Sequence, residues 1–142
     1  MPKTKTEEYI KESISVDAAC SGNPGAMEYQ GVDTETGEQI FASSVYPVGT
    51  NNLGEFLAVV HALRYLYEQG SDIPVYSDSV SALAWVRNKR VKTNLVQNAD
   101  TETLWQDIED AIGWLYDHDY PNPVLKWETK AWGEVKADFG RK

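Results

Sequence analysis

Cysteine occurs once in this chain, at Cys20, and histidine twice, at His61 and His118. A single thiol excludes an intrachain disulfide and any cysteine-based zinc cluster, and it suits a reducing compartment. No apolar run is long enough to span a bilayer, and the opening Met-Pro-Lys-Thr-Lys-Thr-Glu-Glu has no apolar signal core. The expectation is a cytoplasmic protein with no membrane partner. Positive charge is also scarce: 13 Lys and Arg face 22 Asp and Glu, a net −9. Taken alone, that balance argues for a soluble surface and against a phosphate-backbone partner. However, Arg87, Lys89, Arg90 and Lys92 crowd together, while acids gather between Asp100 and Asp119. The partner is therefore not settled by net charge.

What is present is a globular composition of 42% apolar and 25% charged residues, with 11% aromatics. At 142 residues there is room for one core, without internal repeats or low-complexity stretches. Residues 1–12 are polar and read as a flexible leader, leaving 13–142 as a single domain. Ile14, Val16, Ala18 and Cys20 alternate, the period of a strand from Ser13 to Cys20. Ser21 to Gly25 is a dense turn, and two further strands follow at Met27–Val32 and Gln39–Tyr46.

The period then changes. Leu53, Phe56, Leu57, Val60, Leu63 and Leu66 take helical spacing, with Asn51 or Asn52 as the cap and Gly70 as the stop. Ile73–Tyr76 reads as a strand, a second helix starts near Ser79, and Asn88–Asn98 is a polar connection. Leu104, Trp105, Ile108, Ala111, Ile112 and Leu115 mark a third helix, which Pro121-Asn122-Pro123 ends. Val124–Trp127 is a fifth strand, and a short helical segment closes the chain at Gly140. The order β-β-β-α-β-α-α-β-α predicts an α/β fold, a five-stranded mixed sheet with helices on both faces.

Three acids stand apart from the solvated majority. Asp17 lies within a strand between Val16 and Ala18, Asp78 follows a strand and precedes a helix, and Glu55 opens a long helix beside Phe56. The ordinary alternatives are a helix cap for Asp78 and a first-turn acid for Glu55. Neither explains an Asp inside a strand. Clustered carboxylates persist ionised only beside a cation, and oxygen-only ligation suits a hard divalent ion. With two histidines and no cysteine pair, zinc fits poorly. His61 and His118 read as structural or surface residues.

These acids sit in segments that are similar to those of a known family. Val16-Asp17-Ala18-Ala19-Cys20-Ser21-Gly22-Asn23-Pro24-Gly25 resembles the first-strand motif of type 1 ribonuclease H, and the closing Trp127-Glu128-Thr129-Lys130-Ala131-Trp132-Gly133-Glu134 looks like its bacterial branch. Thr50-Asn51-Asn52-Leu53-Gly54-Glu55, Tyr76-Ser77-Asp78-Ser79 and Gly133-Glu134-Val135-Lys136-Ala137-Asp138 resemble its next three motifs, in the family's order. The resemblance implies the ribonuclease H-like fold and hydrolysis of the RNA strand of RNA–DNA hybrids, giving 5′-phosphate and 3′-hydroxyl ends. It implies that Asp17, Glu55, Asp78 and Asp138 are both catalytic and metal-holding, with two Mg²⁺ or Mn²⁺ ions roughly 3.5–4 Å apart. One ion would activate the attacking water and the other stabilise the leaving 3′ oxygen, with Asp17 as the bridging ligand. It further implies substrate contacts by Asn23, Asn51 and Asn52 at 2′-hydroxyls and by Thr50 at a DNA phosphate. A turn role for Asn23 is the plain alternative, since Asn tolerates left-handed backbone. A monomer acting on the hybrid is expected.

The chain departs from that pattern in three places. The lysine-rich protrusion of many relatives is reduced to Arg87–Lys92, which predicts modest affinity and a shallow salt dependence. Trp85 alone stands near the tryptophan-rich DNA channel of the family, with plain core as its other reading. The loop Glu128–Gly133 lacks the family's histidine, with Glu128, Lys130 or Glu134 available instead. Glu134 takes the place of a polar residue near the second ion and is an auxiliary candidate. Two other functions share the fold: a catalytically silent hybrid- or RNA-binding domain, and a related DNA-processing nuclease. The four acids argue against the first, and the asparagines favour RNA over the second.

Overall fold

Alternation of Ile14, Val16 and Ala18 sends one apolar row to one side of a strand, and all three are buried. The computed structural model describes residues 8–139 and forms β1 there, Ile14–Gly22. β1 pairs antiparallel with β2 (Gly25–Asp33), in register from Ile14↔Asp33 to Gly22↔Gly25, so Asn23-Pro24 makes the turn. Only glycine fits at the close of that turn. A Cβ on Gly25 would lie 1.9 Å from the Ser21 carbonyl oxygen.

The single strand predicted over Gln39–Tyr46 is two, β3 (Gln39–Ala42) and β4 (Tyr46–Gly49), both pairing with β2. Tyr29 supplies the reason. Its N–H donates to Ser43 Oγ at 2.9 Å, while its carbonyl accepts the Ser43 N–H at 2.9 Å. A side chain thus replaces the ladder at the break, and pairing resumes at Tyr46. β5 (Val75–Ser77) runs parallel to β1, and β6 (Val124–Lys126) parallel to β5. The sheet is mixed, in the order β3-β2-β1-β5-β6, with β4 on the remaining length of β2.

α1 (Asn51–Gln69) is capped by Thr50, one residue before the predicted caps: Thr50 Oγ1 accepts the Leu53 N–H at 3.3 Å. The helix ends at Gly70, as the sequence predicts. α2 (Val80–Asn88) is capped by Ser79, and α3 (Glu102–Asp117) follows an irregular connection. Leu53, Phe56, Leu63, Ile108 and Leu115 close with Ile14, Val16 and Val75 into the larger core. Each large apolar side chain buried there contributes about 1.5–3 kcal/mol.

The opposite face has its own small core of Tyr76, Trp127 and Val135. α4 (Thr129–Trp132) covers it through Trp132, so helices do lie on both faces. The last helix is shorter than the segment predicted to end at Gly140, a residue outside those described. Residues 1–7 of the predicted leader also lie outside them. Tyr9, still within that leader, is docked instead: its ring sits 4.9 Å from Trp127, and the next N–H, of Ile10, donates to Tyr76 Oη at 2.9 Å. Among the described residues, no helix is long and apolar enough to cross a membrane.

Candidate metal centre

Parallel pairing of β1 with β5 matches Ser15 to Tyr76. Asp17 lies two residues further along β1, and Asp78 directly follows the end of β5, so both come to the same end of the sheet. β5 stops at Ser77, so beyond it the edge of β1 has no strand beside it. Glu55 of α1 fills that gap. Its carboxylate accepts the Ala18 N–H at 3.1 Å and the Ser77 hydroxyl at 3.4 Å. Three elements distant in sequence thereby converge, and one carboxylate oxygen from each of Asp17, Glu55 and Asp78 lies within 4.8 Å of the others.

The plain alternatives for two of these acids fail. Ser79, not Asp78, caps α2: its Oγ accepts the Ala82 N–H at 3.1 Å. α1 has no acid in its first turn, because capping by Thr50 puts Glu55 past it. Glu55 is 1% exposed, among the most buried side chains in the molecule. A helix dipole does not account for an acid held that far from solvent.

Burial is the main electrostatic fact of the site. It lifts Glu55 well above the ordinary carboxylate range, helped by a hydrogen bond to Asp17 and by the charges of Asp17 and Asp78. Asp17 is pushed up to about 6, again mainly by burial; its hydrogen bond with Glu55 opposes this, while Asp78 and Asp138 add to it. Asp78 is also raised by burial, with Lys126 opposing and Glu134 and Asp138 reinforcing. Burial thus disfavours the ionised form of all three carboxylates, a divalent ion would favour it again, and the all-oxygen donor set suits a hard ion. The residues therefore fit divalent metal use.

Asp138 stands beside this trio without being part of it. It follows the turn whose Val135 carbonyl accepts the Asp138 N–H at 2.9 Å, and its charge reaches both Asp17 and Asp78. Glu134 is exposed and acts on Asp78 through its charge. Lys126 was not singled out by the sequence. It enters because β6 pairs Ser77 with Lys126, next to Asp78, and no spacing rule reveals that register.

The polar residues around the hairpin turn have local duties. Asn23 Oδ1 accepts the Asn51 N–H at 3.0 Å, joining the β1–β2 turn to the start of α1. The left-handed backbone considered for Asn23 is absent; Lys89 is the non-glycine residue with positive φ among those described. Asn52 Oδ1 accepts the Ser79 hydroxyl at 3.4 Å. These bonds use carbonyl oxygens and leave the amide Nδ2 donors for other partners. Trp85 packs against the main core, its ring 6.4 Å from Phe56. His61 is bonded to Tyr29 Oη at 2.9 Å and stacked on Phe41, the structural role expected of it.

Comparison with known proteins agrees with this geometry. The family model described as RNase H matches residues 11–117. A ribonuclease H of Chlorobium luteolum is 38% identical over 108 residues, covering 69% of this chain and 72% of its own. A ribonuclease H of Ehrlichia ruminantium is 30% identical over 144 residues, covering 94% of this chain and 87% of its own. In fold, the chain is similar to a ribonuclease H1, LC11, solved in complex with an RNA/DNA hybrid. That likeness has a TM-score of 0.54 at 21% identity and covers 83% of this chain and 86% of that one.

Proposed function

The chain belongs to the ribonuclease H family, metal-dependent endonucleases of RNA–DNA hybrids, and we propose that it cleaves the RNA strand with Asp17, Glu55, Asp78 and Asp138 holding two Mg²⁺ or Mn²⁺ ions. The observation that carries this reading is the convergence of three buried or half-buried carboxylates at one end of the sheet. Bound there, the ions would supply an activated water and charge stabilisation for the leaving 3′ oxygen, giving 5′-phosphate and 3′-hydroxyl products.

The chain's own residues position and balance that chemistry. Asp17 presents its carboxylate from β1 and Asp78 from the residue after β5, and Glu55 braces both strands through Ala18 and Ser77. Asp138 closes the set from the turn after α4. Asn23, Asn51 and Asn52 offer amides along the hairpin and the start of α1, where 2′-hydroxyls can both donate and accept. Thr50 lies at the same edge for a DNA phosphate.

A silent hybrid-binding domain is the reading this proposal displaces. Carboxylates whose pKa values are raised by burial and mutual repulsion weaken a phosphate surface and serve no purpose in a pure binder. The test is incubation with labelled hybrid, double-stranded RNA and double-stranded DNA, with Mg²⁺, Mn²⁺ or chelator. Loss of the hybrid's RNA strand alone, abolished by chelator and by Asp78→Asn, is the expected result. Binding without cleavage would favour the silent domain, and cleavage of duplex DNA would favour the DNA-processing nuclease.

A further inference from the structure

The segment that carries Asp138 is tied to the sheet at the carbonyl just before it. Gln30 Nε2 donates to the Ala137 carbonyl at 2.6 Å, across 107 residues of sequence. Gln30 lies on β2 directly opposite Asp17 of β1, so both side chains leave the same face of the sheet. One amide thereby fixes the backbone beside Asp138 relative to the strand that presents Asp17. Ala137 is fully buried, and a buried carbonyl needs such a partner.

Gln30 is itself held. Gln39 Nε2 donates to Gln30 Oε1 at 2.8 Å, so the donor end of the Gln30 amide is left for Ala137. The β2–β3 register shifts between Gly31 and Val32, leaving Gln30 opposite Ala42 and Gln39 opposite Val32. An unbroken ladder would set Ile40 opposite Val32 and turn Gln39 to the other face. The irregularity re-aims Gln39 onto the face of Gln30.

The remaining acids have other supports. Asp17 is fixed by the ladder of β1, and Glu55 by its bonds to Ala18 and Ser77. Asp138 lies outside the strands and helices. On one side its segment is anchored by Val135, buried against Tyr76 and Trp127, whose carbonyl accepts the Asp138 N–H. The bond from Gln30 ties the same segment to the strand pair that carries Asp17.

We propose that Gln30 is a positioning residue for Asp138: aligned by Gln39, its amide holds the Ala137 carbonyl and keeps the last carboxylate beside Asp17. The inference rests on the metal-holding role proposed above for Asp138. Gln30 touches neither ion nor hybrid and acts through the backbone of its partner.

The test measures Mg²⁺ binding by calorimetry and KM for the hybrid from initial cleavage rates, on the full chain. Hydrogen exchange of residues 133–139 in chelator reports the segment without metal. Gln30→Met keeps the side-chain length and removes the amide. It should weaken Mg²⁺ binding about tenfold, leave KM unchanged, and speed exchange in 133–139 but not in α1. Asp138→Asn should weaken Mg²⁺ binding at least as much, and the double variant no further, since both changes remove one effect. Parental Mg²⁺ binding in Asp138→Asn would end the metal role of Asp138, and this inference with it. Weaker binding in Asp138→Asn beside parental binding in Gln30→Met would overturn the positioning role alone, as would additive losses in the double variant. Faster exchange in α1 as well would mean a general loss of stability and would also overturn it. If Gln30→Met does not fold, Gln39→Ala, at an exposed position, should weaken Mg²⁺ binding about threefold, and no change there would overturn the proposal.

Discussion

Glu55 accepts a hydrogen bond from the backbone N–H of Ala18 at 3.1 Å, joining α1 to β1 next to Asp17. The same carboxylate both completes the strand edge and crowds its acidic neighbours. Its two substitutions should therefore part company. Glu55→Gln keeps an acceptor for Ala18 while removing the charge, and in chelator it should melt above the parent. Glu55→Ala leaves a buried N–H unpaired and a void beside it, a loss on the order of 2–4 kcal/mol. Both should lose hybrid cleavage. A Gln variant that melts below the parent in chelator would show that repulsion is not what the site stores.

Acid should stabilise the metal-free protein through Asp17. Its pKa is about 6 in the fold against 3.8 as the ordinary value. Between those values the native state holds more protons than the unfolded chain, so stability falls as pH rises through the window. The full span is on the order of 2–3 kcal/mol. Thermal melts in chelator at pH steps across this range should show the decline in the parent and its loss in Asp17→Asn. Excess Mg²⁺ should also cancel it, because a bound cation favours the ionised carboxylate. An identical pH profile for parent and Asp17→Asn in chelator would refute the assignment.

Gly54 is fixed by contact, one residue before Glu55. A Cβ there would lie 2.6 Å from Met27 Sδ and 2.9 Å from Ala18 Cβ. The methionine can move; the alanine methyl on β1 cannot, so α1 must shift. Gly54→Ala gains up to about 1 kcal/mol of helix propensity, yet overpacking costs about 1–3 kcal/mol. The expected outcome in thermal melts is a net loss of stability. Weaker Mg²⁺ binding by calorimetry should accompany it, since the shift draws Glu55 away from Ala18.

Much of this architecture was legible because it rests on periodicity. Strand alternation from Ile14 and helical spacing from Leu53 each report a single buried face, and both elements formed where expected. What failed to show was decided by contacts between distant segments. The break after Ala42 depends on Tyr29, fourteen residues before Ser43, and the docking of Tyr9 depends on Trp127 and Trp132. The site divides in the same way. Asp17, Glu55 and Asp78 stood out as acids in apolar or constrained settings, whereas Lys126 beside Asp78 required the parallel register of β5 and β6. Local chemistry marked the acids; the resemblance, and not the chemistry, named Asp138.

Glu134 offers the sharpest division between a field effect and a contact. It is exposed, and its charge raises the pKa of Asp78. A carboxylate acting only at a distance would favour cation binding, so Glu134→Gln would then raise the Mg²⁺ concentration needed for half-maximal cleavage and leave turnover at saturation unchanged. A carboxylate touching a water on a bound ion would do more, because outer partners orient ligands as well as attract the metal; losses of about 10–100-fold are usual when they are removed. We expect Glu134→Gln to lower saturated turnover about tenfold with little change in KM for the hybrid. Titrating Mg²⁺ against the initial cleavage rate in both proteins separates the cases, and unchanged half-saturation together with unchanged turnover would remove Glu134 from the mechanism.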